Sequence, residues 1–253
     1  MHIRSAFLGD VYAIFVCLAV RYTMQSSAHP MTVSPSSTAQ LSASVPPTSP
    51  RFWDRHAASY AKKPVPDEEA YQRTLERVRA YLTPDTRVLE LGCGTGTTAL
   101  KLAASAREIL GTDYSGGMIA IATAKAREAA VTNVSFQRCT LADATLGSGR
   151  FDVVLAMNFL HLLPELPRQL TRVAELLSGS GLFISKTPCI GQSGLALRVL
   201  IPLMRSVGLA PYVNFVTESS LRTDITNAGF TIEETGMYPQ KSRGFFVVAR
   251  KAT

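Results

Sequence analysis

Val88-Leu89-Glu90-Leu91-Gly92-Cys93-Gly94-Thr95-Gly96-Thr97 runs from an apolar strand through glycines at alternate positions into helical sequence. Glycine at 92, 94 and 96 lets the backbone turn tightly and lets a ligand approach with no Cβ in the way. The third glycine falls four residues after the first, not five as in the dinucleotide fingerprint. Glu90 precedes the loop, and Asp113 ends the next strand 21 positions after Gly92. An acid at that place is positioned to accept hydrogen bonds from two ribose hydroxyls.

Short apolar runs follow at Ile109–Thr112, Val134–Arg138, Phe151–Met157 and Leu182–Lys186, with helical segments such as Thr97–Ala104 and Gly117–Ala130 between them. Strands buried on both faces and alternating with helices predict a parallel sheet with right-handed crossovers. Phe230–Glu234 and Phe245–Arg250 predict two final strands, the last of them inserted antiparallel. Upstream, Pro66-Asp67-Glu68-Glu69 opens a helix with Pro66 at an N1-like position, and Leu75, Val78 and Leu82 repeat at helical spacing. The expected fold is therefore α/β, a Rossmann-like seven-stranded, mostly parallel sheet with helices on both faces.

The chain has 253 residues, 46% of them apolar, enough for one or two domains with a full core and not a disordered chain. Its formal charge of +7 comes partly from missing acids: none occurs between Glu175 and Glu218, while Lys186, Arg198 and Arg205 do. No dense basic stripe with interleaved aromatics appears, so nucleic acid is not an expected partner. Cys17, Cys93, Cys139 and Cys189 are far apart, which predicts reduced thiols rather than a disulfide framework or a zinc site. No metal-ligand spacing appears, and no metal is expected.

Residues 1–50 read as separate from the fold. An apolar leader, 1–25, is short for a membrane span and reads as a signal or transit segment, or as sequence upstream of a true start at Met31. Residues 26–50 are mostly Ser, Thr, Pro and Ala and read as a flexible linker. The folded domain is expected over 51–253. A cytoplasmic location follows by default; a retained leader implies organelle targeting or weak membrane association. The oligomeric state stays open.

Glu90-Leu91-Gly92-Cys93-Gly94-Thr95-Gly96, Asp113-Tyr114-Ser115-Gly116-Gly117-Met118, Phe151-Asp152-Val153-Val154 and Leu176-Leu177-Ser178-Gly179-Ser180-Gly181 together resemble the class I S-adenosylmethionine-dependent methyltransferases. The resemblance covers about Phe52 to Lys251 and is closest to small-molecule enzymes of the ubiquinone and menaquinone C-methyltransferase type. It implies S-adenosyl-L-methionine as cofactor, with Gly92, Cys93 and Gly94 against its methionine part, Asp113 on the ribose hydroxyls, and Glu90 and Gly96 also among the cofactor-binding residues. Tyr114 and Met118 would flank adenine, and Tyr60 would close over the cofactor. The third strand in this family usually ends in an acid. Here Cys139-Thr140 stands in that place, so Thr140 and Leu141, or Asp143 three residues on, are the residues carried to the adenine amino group. Ser178-Gly179-Ser180-Gly181 replaces the usual turn before the fifth strand.

Methyl transfer from a sulfonium needs alignment and removal of water, and an oxygen or carbon acceptor also loses a proton. Met157-Asn158-Phe159-Leu160-His161 closes the fourth strand, placing Asn158 and His161 at the ligand edge of a parallel sheet. Asn158 is assigned to the cofactor side. His161 reads as a general base or acceptor-orienting group, or as a histidine satisfied by backbone at a helix start. Lys186 is a second acceptor-side candidate. Between them and the next helix, 187–216 is an apolar insertion that reads as a lid, with Tyr212 and Phe215 lining the acceptor pocket, or as a helix packed on the sheet or a dimer contact. The expected activity is methyl transfer to oxygen or carbon of a small, lipophilic or aromatic acceptor. A non-catalytic nucleotide-binding module and a protein or RNA methyltransferase are the alternatives.

Overall fold

The structure, a computed structural model, describes residues 49–191, 195–238 and 244–252. The expected leader and nearly all of the expected linker lie outside the described residues, as do 192–194 of the apolar insertion.

The chain enters through two helices, α1 (Arg51–Ala61) and α2 (Glu68–Arg79). Strand and helix then alternate through β1 (Arg87–Leu91), α3 (Thr97–Leu102), β2 (Glu108–Asp113), α4 (Gly116–Glu128), β3 (Val134–Arg138) and β4 (Phe151–Met157). A second run comprises α5 (Leu166–Leu176), β5 (Leu177–Pro188), α6 (Leu195–Ser206), α7 (Glu218–Asn227), β6 (Phe230–Met237) and β7 (Gly244–Lys251). The seven strands lie in the order β3-β2-β1-β4-β5-β7-β6, and β7 runs antiparallel to both of its neighbours. The first five are parallel, as their unbroken apolar runs predict. Strand order reverses between β1 and β4, and at such a point the carboxyl ends of an open α/β sheet part into a ligand crevice.

Both faces of the sheet are covered. Leu89, Val154 and Phe183 pack with Leu170 and Val173 of α5 and Leu221 and Ile225 of α7. On the other face Val88, Leu155 and Ile184 meet Leu75 and Val78 of α2 and Leu102 of α3. Central strands apolar on both faces cannot be edge strands, and this double burial fixes their place in the sheet.

Two local expectations are corrected. Asp67, not Pro66, sets the start of α2: its carboxylate accepts the Ala70 N–H as an N-cap, so Pro66 stands before the helix. The helix ends at Arg79, leaving Leu82 beyond it. Ser178-Gly179-Ser180-Gly181 is not a turn ahead of β5 but part of it, a bulge across which pairing shifts from Phe151–Leu177 to Val153–Leu182. Side chains pin this bulge. Ser178 Oγ donates to Asp152, the Arg250 guanidinium donates to Ser180 O, and Lys251 Nζ donates to Leu177 O.

Candidate active site

The glycine loop after β1 is held by its own backbone. Cys93 N–H donates to Thr112 O at 2.9 Å, and Gly96 N–H donates to Cys93 O at 3.0 Å. Gly92, Gly94 and Gly96 have φ of 62°, 54° and 74°, a region that side chains with a Cβ rarely enter. The first and third also have no room for one: a Cβ at Gly92 would lie 2.1 Å from the Phe159 ring, and one at Gly96 would lie 2.5 Å from Phe136. Gly94 differs. Its Cβ would meet only the Tyr60 ring, at 3.9 Å, so its bare backbone borders open space.

Two carboxylates face this loop. Asp113 closes β2 and accepts Gly94 N–H at 3.1 Å and Ser115 N–H at 2.8 Å. Burial nevertheless holds its carboxyl above the ordinary aspartate value. Glu90 is fully desolvated inside β1; burial first, and Asp113 further, push its carboxyl up to about 8, against a backbone hydrogen bond from Ala99. Its Oε2 has no partner. A carboxyl this buried, with one oxygen unsatisfied, is a place where a cationic ligand gains most.

Helix α1 covers the loop. Tyr60 lies over Gly94, and burial followed by the nearby charges of Asp113 and Glu90 raises its phenol. What sets α1 there is Asp54, a residue the sequence reading did not single out. Its Oδ1 accepts the Ser115 hydroxyl at 2.6 Å and Gly117 N–H at 3.0 Å, at the first turn of α4. Ala57 packs against Gly117, where any Cβ would come within 3.2 Å of it. Ser115 thereby joins Asp54 to Asp113. The available signal was an acid one helical turn before an alanine and two before Tyr60, all on one face. Of the adenine-side candidates, Met118 is buried, Tyr114 half-buried, Leu141 in the core and Thr140 exposed. Asp143 is occupied locally, accepting the Thr145 N–H and hydroxyl.

At the end of β4 the chain turns through Asn158, which has φ 55° and is exposed at the rim. Its N–H donates to Lys186 O at 2.7 Å. Phe159 seals against Gly92, so this turn and the glycine loop share one wall. His161 follows in a single 3₁₀ turn, Leu160–Leu162. Its Nδ1 is buried without a partner, and burial lowers the imidazole to about 4. Lys186 lies on the same sheet face as Glu90, where its Nζ donates to Thr74 of α2 at 2.9 Å and burial lowers its pKa. Tyr212 and Phe215 return over the site from α6, and Asn214 N–H between them donates to His161 O at 2.6 Å. Arg205 and Arg198 of α6 stack on these two rings at 5.0 and 5.5 Å. Val199, Leu203 and Val207 leave an apolar stripe of this helical segment more than 60% exposed.

The structure thus gathers Tyr60, Glu90, Gly94 and Asp113 at one end of the crevice and Phe159 and His161 beside it. Lys186 lies on the Glu90 face of the sheet, with its amine bonded to Thr74. Residues 88–181 match the family model described as a methyltransferase domain. A ubiquinone biosynthesis O-methyltransferase of Azorhizobium caulinodans is 28% identical over 64% of this chain and 66% of its own length. A protein of the same name from Acinetobacter baumannii is 25% identical over 74% of this chain and 81% of its own. Among solved structures, magnesium protoporphyrin IX methyltransferase from Synechocystis, with bound S-adenosylhomocysteine, superposes with a TM-score of 0.59 at 24% identity, covering 80% of this chain and 95% of that one. Residues 88–181 form a methyltransferase domain, and the sheet built around them has the fold of solved S-adenosylmethionine-dependent methyltransferases.

Proposed function

We propose that the enzyme methylates an oxygen or a ring carbon of a small, lipophilic or aromatic acceptor, and that His161 receives the acceptor's proton. The observation that carries this reading is the buried, unpartnered Nδ1 of His161 at the carboxyl end of β4. The relatives named for O-methyl transfer in ubiquinone biosynthesis support the acceptor class.

The pocket's residues fit the donor. Glu90 Oε2 lacks a partner and suits the amino acid ammonium; the open backbone of Gly94 suits close approach; Asp113 suits a ribose diol. When bound, S-adenosylmethionine supplies a methyl group on a sulfonium, ready for in-line displacement to a neutral thioether. The chain's own residues then do three things. Gly94 and Asp113 hold the nucleoside, and Tyr60 excludes water above it. Tyr212 and Phe215, clasped by Arg205 and Arg198, hold 198–215 as a lid over an apolar acceptor. His161 stays neutral at pH 7, because burial lowers it to about 4. It therefore accepts a hydrogen bond from the acceptor hydroxyl in the ground state. The full proton moves late, once the new oxygen–carbon bond has made that hydroxyl strongly acidic.

Two measurements test this reading together. Calorimetry with S-adenosylmethionine gives micromolar-range binding that Asp113→Ala weakens more than about tenfold, some 1.4 kcal/mol. A labelled-methyl screen over phenols, quinols and fatty acids finds a substrate, and His161→Ala then lowers kcat about a hundredfold with donor affinity unchanged. Equal losses in kcat and donor affinity would make His161 structural.

A further inference from the structure

A charge withdrawn from water is costly unless an opposite charge meets it. The partly buried Arg77, Arg87, Arg172 and Arg250 each bond a carboxylate. Lys186 does not. Its side chain is half-buried and partly desolvated, and Thr74 Oγ1 is its one hydrogen-bond partner among the described residues. That hydroxyl gives its own proton to Ala70 O, so toward the amine it can only accept. Two of the three ammonium donors are left over. Asp67, the acid that acts on this amine from the start of α2, is exposed and already accepts Ala70 N–H.

Lys186 stands two residues before the carboxyl end of β5, on the sheet face of Glu90. Its register partners are Met157 of β4 and Phe246 of β7, and Tyr238 meets Phe246 edge-on with ring centres 5.6 Å apart. Met157, Tyr71 and Tyr238 border the core on this face and are themselves half-buried. The amine therefore has an apolar and aromatic surround that solvent still reaches, unlike a side chain in the closed core.

We infer that Lys186 seats a carboxylate of the acceptor, with Met157 and Tyr238 beside it, so that the acceptor is a small acid methylated at a different atom. Two free donors on one cation match the two oxygens of a carboxylate, and such charge-assisted bonds are the strong ones. By strand spacing and rise the Cα atoms of Glu90 and Lys186 lie about 12 Å apart. A one-ring acid beside the donor end thus comes within reach of the long lysine side chain. This inference rests on the small apolar acceptor proposed above and adds the charge that orients it.

The test uses the full chain saturated with S-adenosylhomocysteine, and phenylacetate against phenylacetamide, which keeps the shape and loses the charge. Calorimetry should show phenylacetate bound at least about tenfold more tightly. Lys186→Met should abolish that preference with S-adenosylhomocysteine affinity unchanged, and Lys186→Arg should keep part of it. A wild-type chain that binds the two alike, or neither, overturns the inference, and so does a preference that survives in Lys186→Met. Turnover separates the seat from the acceptor class. With 4-hydroxyphenylacetate and para-cresol, Lys186→Met should lower kcat/KM for the acid about tenfold relative to the cresol, through KM. Equal losses of kcat for both phenols would put the lysine on the oxygen being methylated and overturn the carboxylate seat. If phenylacetate is selected through Lys186 and neither phenol is methylated, the seat stands and the phenolic acceptor fails.

Discussion

At the β1–β2 end of the crevice the polar groups are bound to one another before a ligand arrives. Asp113 holds Gly94 and Ser115, Ser115 holds Asp54, and only Glu90 keeps an oxygen free. At the β4–β5 end the chain leaves His161 Nδ1 unpaired inside the protein and gives the Lys186 amine a hydroxyl in place of a carboxylate. The contrast fits the two substrates. A donor of fixed shape is served by a rigid frame of backbone and carboxylate, whereas an acceptor is told from its competitors by side-chain groups that only it satisfies.

The frame breaks most completely at Gly94. With φ 54° and only the Tyr60 ring within 4 Å of a Cβ, a valine there strains the backbone and fills the donor's approach. Gly94→Val is expected to leave the fold intact by circular dichroism and to weaken donor binding by more than about a hundredfold, near 3 kcal/mol. Gly92→Val makes the informative contrast. Its Cβ would sit inside the Phe159 ring, so it should damage the β4 turn, and acceptor turnover with it.

This division also explains what the sequence could say. The donor end was legible because its chemistry is carried by consecutive residues: a strand, alternate glycines and a strand-end acid have to be adjacent in the chain to work. The antiparallel seventh strand was legible from its apolar run following Phe230–Glu234. Asp54 was not, since its partners Ser115 and Gly117 lie more than sixty residues away and only tertiary packing joins them. The bond from Lys186 to Thr74 of α2 is hidden for the same reason, since its partners lie 112 residues apart in the chain.

A smaller effect is expected at the latch between α1 and α4. Asp54→Ala removes both the Ser115 and the Gly117 bonds and frees Tyr60 to lift from the loop. Donor release should quicken about tenfold, with kcat little changed at saturating donor. Limited trypsin digestion reads the same event: S-adenosylhomocysteine should protect the bond after Lys62 in the wild type and fail to do so in the variant. Continued protection would mean that Ala57 packing alone holds the helix.

The mildest effect is a pH dependence, and it probes the one unpaired oxygen at the donor end. Burial raises Glu90 to about 8, so the free protein holds a proton there that the unfolded chain, near 4.5, does not. More protons on the folded state mean that this group's contribution to stability is full below about 4.5 and is lost as pH rises toward 8. Binding an ammonium favours the ionised carboxylate, so donor binding should release a proton. Affinity should therefore strengthen several-fold from pH 6 to about 7.5, then level as the donor's own amine begins to deprotonate near 7.7–8.0. Glu90→Gln should flatten both curves, the Tm profile of the free protein and the donor affinity. If the affinity slope survives in that variant, the proton belongs to Asp113, and the two ends of the crevice differ less than their hydrogen bonds suggest.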